Sequence, residues 1–151
     1  FHDLPESVTR DIISPVKRSV EGLDLLIKHI EERQVAEKIL PLLPYGWHQD
    51  ILYFTQNEFA DKVIVDGKEV ECTFEDLNGK YNCNGYKAVD GKMLKGCDNL
   101  AAFVEAWLSR RYGITSKHLE DAERGLREQY KDKTVGGIDF STIYAAFPEN
   151  K

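Results

Sequence analysis

Lys92 to Tyr112 reads KMLKGCDNLAAFVEAWLSRRY, and its apolar residues settle the fold class. Met93, Leu94, Cys97, Leu100, Ala101, Val104, Trp107 and Leu108 recur at the spacing of one α-helical face, and such a face is buried against neighbouring elements. Gly113 follows directly and reads as the C-terminal cap, because glycine accepts the left-handed backbone that ends a helix. Asp98 stands among these apolar residues. A carboxylate close to a core must be ion-paired, hydrogen-bonded or bound to metal. Lys95 supplies the ion-pair reading, in which Asp98 is a partly exposed surface group; the other reading makes Asp98 a metal ligand.

Helical patterning continues on both sides. Ser116 caps a helix to about residue 131, and Phe140 to Phe147 forms a short terminal one. Upstream, Glu21 to Leu43 has a clear helical period, with Leu23, Leu26, Ile27, Ile30, Ile39, Leu40 and Leu43 inward,. Pro41 and Pro44 end it. Tyr45 to Lys62 reads as the next helix, with Ile51, Leu52, Phe54 and Phe59 apolar. Between Val8 and Arg18, Pro15 interrupts the pattern, which predicts a loop or broken helix.

Val63-Ile64-Val65, then Asp66-Gly67, then Val70 to Phe74 predict a β-hairpin, since Asp-Gly supplies the positive φ angles of a tight turn. Asn78-Gly79, Asn84-Gly85 and Asp90-Gly91 extend an irregular, turn-rich region to residue 91. The expectation is a mostly α-helical single domain over 1–151, with a β-containing insertion at 61–91.

Composition excludes several classes. Hydrophobic residues make up 42% of the 151, enough for a packed core, and charged residues 30%. No apolar run approaches the roughly 18–20 residues that a membrane span needs, and no signal peptide opens the chain. The net charge of −6 argues against binding polymeric nucleic acid, which calls for a basic stripe. Cys72, Cys83 and Cys97 fit neither a disulfide framework nor a CxxC zinc site, and read as reduced thiols of a cytoplasmic protein. The chain begins Phe1-His2-Asp3, and Phe1 reads like the inside of an apolar helix; material upstream is expected.

The chemistry-bearing segment is HDLPESVTRDIISPVK, residues 2–17. Adjacent His2 and Asp3 offer an imidazole nitrogen and a carboxylate oxygen, both suited to first-row divalent metals. Glu6 and Asp11 follow closely; capping and solvation are their structural alternatives. His48-Gln49-Asp50 is a poorer metal reading, because residues two apart on a helix diverge by about 200°. Trp47 and Trp107 read as core or interface.

The pattern HD-x-x-E-x-x-x-x-D, with Pro15-Val16-Lys17 after it and K-x-x-D-x-L-x-x-x-x-E over 95–105, resembles the HD-domain superfamily. The likeness is nearest to its 5′-deoxynucleotidase-like branch, and says little about 61–91 and 115–151. It implies an HD-domain helical bundle and a metal-dependent phosphomonoester hydrolase acting on nucleoside 5′-monophosphates. It implies one divalent ion (Mn, Co, Mg, Zn or Fe) held by His2, Asp3, Asp98 and an earlier histidine. His29, His48 and His118 all follow the HD pair and so do not correspond to that histidine.

By the same resemblance, Glu6 assists proton transfer with the attacking water, and Asp11 orients that water or the surroundings of Glu6. A bound divalent ion lowers the pKa of water from about 16 to about 7, and a nearby carboxylate takes the proton. Thr9, Arg10 and Lys17 are candidates for the substrate and its phosphate. Glu105 corresponds to a glutamate of many relatives and reads as structural. A homodimer is implied, with no membrane partner. The alternative is a non-catalytic HD module that binds a nucleotide or a partner.

Overall fold

The computed structural model describes residues 3–10, 12 and 20–149. It is mostly helical with small two-stranded antiparallel sheets, as the patterning predicts. The chain divides into two compact units, Phe1–Glu58 and Phe59–Lys151.

In the first unit, α1 (Glu6–Thr9) packs against α2 (Leu23–Gln34). The predicted helix over 21–43 is not one regular helix. After α2 the backbone widens into a π turn, Val35–Ile39, then tightens into a 3₁₀ turn, Leu40–Leu42. The wider turn rotates the inward face. Ile27, Val35 and Leu40 are buried, whereas Leu26 and Ile30, expected inside, are 60% and 46% exposed. The next helix also departs from expectation. Residues Tyr45–Trp47 form a 3₁₀ turn and α3 covers only His48–Thr55. It ends because Gln56 is extended and Asn57 takes a positive φ of 47°.

The second unit opens with the predicted hairpin. Strands β1 (Lys62–Val65) and β2 (Lys68–Glu71) pair antiparallel, with Val65 opposite Lys68. Asp66 and Gly67 have φ of 50° and 75°, the conformation that Asp-Gly was expected to supply. Lys62 belongs to this strand rather than to the preceding helix, and it also bridges Val89. Phe74, expected in the hairpin, instead begins α4 (Phe74–Gly79). Thr73 caps that helix by accepting a hydrogen bond from the Asp76 amide, which removes the segment from the sheet.

Helix α5 (Gly91–Arg111) is the long element predicted over 92–112. Its N-terminus is capped by Asp90, whose side chain accepts from the Met93 amide. Its C-terminus closes as Gly113 donates to Arg110 and Ile114 to Ser109, with Gly113 at φ 86°; this is a Schellman motif. Helix α6 (Lys117–Gln129) follows Ser116 and packs on α5. A second hairpin that the patterning did not predict, β3 (Thr134–Val135) with β4 (Ile138–Asp139), leads into α7 (Phe140–Ala145). The hydroxyls of Ser141 and Thr142 hydrogen-bond to Asp139 and hold its carboxyl down at about 2.

The main core of this unit joins Phe103 and Trp107 of α5 to Tyr130, Val135, Phe140 and Tyr144. Trp107 is thus a core residue, while Trp47 is 59% exposed. Glu123 is buried in the same region. Arg110 donates to it at 2.6 Å and Arg127 lies 3.6 Å away. Arg127 also donates to the carbonyls of Tyr144 and Phe147, at 2.7 and 2.8 Å. One carboxylate and two guanidinium groups therefore tie α5, α6 and the end of the chain together. The three cysteines are free. Among the described residues no helix is long and apolar enough to cross a membrane.

Candidate active site

In the first unit the acidic segment begins as a turn. The Glu6 amide donates to the Asp3 carbonyl at 3.1 Å and starts α1. Pro5 caps the helix at φ −58°, a value its ring already imposes. Asp3 is exposed and Glu6 half-buried. Ser7 and Thr9 donate their hydroxyls back to the carbonyls of Leu4 and Pro5, at 2.6 and 3.3 Å. His2, Asp11 and Lys17 lie outside the described residues.

Arg10 ends α1 at φ 66°, ψ 154°. That region is almost confined to glycine and costs a residue with a side chain about 1–3 kcal/mol. The Arg10 amide still closes the helix, donating to the Glu6 carbonyl at 2.8 Å. Strain of this kind gathers at ligand clamps, and here it falls on Arg10, which the sequence offers only as a candidate for substrate contact. Arg10→Gly is expected to raise stability by about 1 kcal/mol, the relieved strain being partly offset by glycine's larger unfolded-state entropy. The same change is expected to weaken binding of an anionic substrate. A thermal melt and a phosphate titration check the two effects; a melt that falls would show the backbone is not strained.

In the second unit Asp98 lies on α5 with its side chain 36% exposed. Lys95 donates to Asp98 Oδ2 at 2.7 Å, so the ion pair of the first sequence reading is present. The Lys95 ammonium also sits 4.3 Å from the centre of the Phe59 ring. Asn99, next along, donates to the Tyr130 hydroxyl at 2.9 Å and turns toward the core. Glu105 is exposed. Cys97, Leu100, Ala101, Val104, Glu105 and Leu108 line an open and almost wholly apolar groove along the same helix.

Among the described residues no three His, Cys, Asp or Glu side chains gather as a metal set. His48 is taken up locally: its Nε2 lies 3.1 Å from the Leu43 carbonyl. The donor chemistry nonetheless fits a divalent ion. Asp3 is an exposed carboxylate, and Lys95 engages only one of the two Asp98 oxygens. Carboxylate oxygens, with the imidazole that His2 adds in sequence, are ligands for such ions.

Residues 1–126 match the family described as HD domain. The chain belongs to that family, whose members are typically metal-dependent phosphohydrolases that bind divalent metals. No curated protein and no solved structure matches the chain.

Proposed function

We propose that this protein hydrolyses phosphomonoesters, foremost nucleoside 5′-monophosphates, with the help of one divalent metal ion. The observation that carries the reading is the extent of the HD-domain match, which takes in the His2-Asp3 pair, Glu6, Asp11 and Asp98 together. In this reading His2, Asp3 and Asp98 hold the ion, one of Mn, Co, Mg, Zn or Fe. When bound, the ion supplies a water of lowered pKa and screens charge on the phosphoryl group. Glu6 takes the proton from the attacking water, and Asp11 orients that water. Arg10 and Lys17 meet the phosphate, and Thr9 lies beside the substrate. The Arg10 guanidinium is suited to this, because its fork matches two phosphate oxygens at once. The setting proposed is the cytoplasm and the assembly a homodimer.

The Lys95–Asp98 ion pair favours a second reading, an HD module that binds a nucleotide without turning it over. The two are separated by incubating the full-length protein with a panel of nucleoside 5′-monophosphates. Release of inorganic phosphate with Mn²⁺ or Co²⁺, abolished by chelator, is the result expected. Nucleotide binding without phosphate release would leave only the module.

A further inference from the structure

Lys95 is placed by more than its own helix. It stands three residues before Asp98, so the two share a face of α5. A half-exposed pair of this kind is by itself worth little, because solvent screens it and both side chains are mobile. Here the ammonium, 44% exposed as a side chain, is held from a second direction by the Phe59 ring at 4.3 Å. An ammonium over an aromatic face is attracted by the ring's negative centre.

Phe59 is itself clamped. The backbone of Phe59 and Ala60 runs so close to Gly91 that a Cβ there would stand 2.2 Å from the Phe59 carbonyl carbon. One residue on, Asp61 accepts from the Lys92 amide at 3.0 Å and pairs with the Lys92 ammonium at 2.9 Å. The segment 59–61 is thus pinned to the first turn of α5. The ring it carries sits over Lys95, and Lys95 holds Asp98 Oδ2 at 2.7 Å.

We infer that Lys95 is a positioning residue. Held by Phe59, it fixes the Asp98 carboxylate by one oxygen so that the other is presented to a divalent cation. This rests on the reading of Asp98 as a metal ligand. Partners that orient a ligating carboxylate typically change metal affinity by about 10–100-fold when removed. An ammonium that merely competed with the cation would do the opposite, and its removal would tighten binding.

The test is Mn²⁺ binding by calorimetry on the full-length protein, with thermal melts alongside. Lys95→Met is expected to weaken Mn²⁺ affinity about 10-fold at unchanged stoichiometry and unchanged melting temperature. Lys95→Arg is expected to restore most of it. Phe59→Leu, which keeps an apolar side chain but removes the ring face, is expected to cost about 3-fold, within the range of an exposed cation–π contact. Affinity in Lys95→Met equal to or tighter than wild type overturns the inference and leaves the metal reading standing. A loss that Arg does not restore and that follows the melting temperature also overturns it, because the role is then structural. No Mn²⁺ uptake by the wild type, or uptake unchanged in Asp98→Ala, overturns the metal reading and the inference together.

Discussion

Asp98→Ala is expected to lower kcat/KM for nucleoside 5′-monophosphates by about 10³-fold or more and to remove the bound cation with it. A catalytic metal supplies several kcal/mol of transition-state charge stabilisation, and each 1.36 kcal/mol is tenfold in rate. The change should leave the fold intact. Asp98 is 36% exposed at the side chain, and the partner it loses, Lys95, is 44% exposed. Solvent therefore covers the loss of the ion pair at about 0–1 kcal/mol. Activity and stability separate cleanly at this position. Phosphate release under saturating Mn²⁺ and a thermal melt measure the two, and full activity in the variant would remove Asp98 from the site.

The largest stability effect is expected at Glu123. Replacement by alanine leaves the Arg110 and Arg127 guanidinium groups without the buried carboxylate between them. Breaking a buried pair from one side costs about 3–5 kcal/mol, since the remaining charge stays desolvated. Arg127 retains two carbonyl acceptors, which places the cost at the lower end, about 3 kcal/mol. Denaturant unfolding of Glu123→Ala measures it. A loss below about 1 kcal/mol would mean that solvent reaches the pair and that the aromatic core alone holds α6 in place.

These two positions also show how far the sequence can be read. Asp98 was legible as an anomaly, a carboxylate inside an apolar pattern, and Lys95 was legible as its neighbour on the helix. Phe59 was not, because its contact joins residues far apart in sequence and no periodicity records it. Glu123 was hidden for the same reason. It stands on the polar side of an amphipathic pattern, yet it is buried beside Arg110 of α5 and Arg127 of its own helix. Local chemistry was read well wherever a single residue type dictates the backbone. The turn at Asp66-Gly67 and the cap at Gly113 both follow from tolerance of positive φ.

Where alternatives compete over a short span, the sequence was a poorer guide. Gly136-Gly137 is a hairpin signal, but the strands beside it have two residues each and show no alternation. Thr73-Phe74-Glu75-Asp76 carries a helix-start signal that the β-branched and apolar residues before it obscured. Over 21–43 the apolar residues fit a helix throughout, and nothing in them announces the π turn at Val35–Ile39 or the exposure of Leu26 and Ile30 ahead of it. The strain at Arg10 was beyond reach as well, since composition does not record a dihedral angle.

The proposed function stands or falls on whether the amino-terminal HD pair holds a divalent ion. It is tested most directly by counting Mn²⁺ bound to the full-length protein, wild type against Asp3→Ala, in equilibrium dialysis followed by elemental analysis. One ion per chain is expected in the wild type and none retained in the variant. An equal ion content in the two proteins, or none in either, would contradict it.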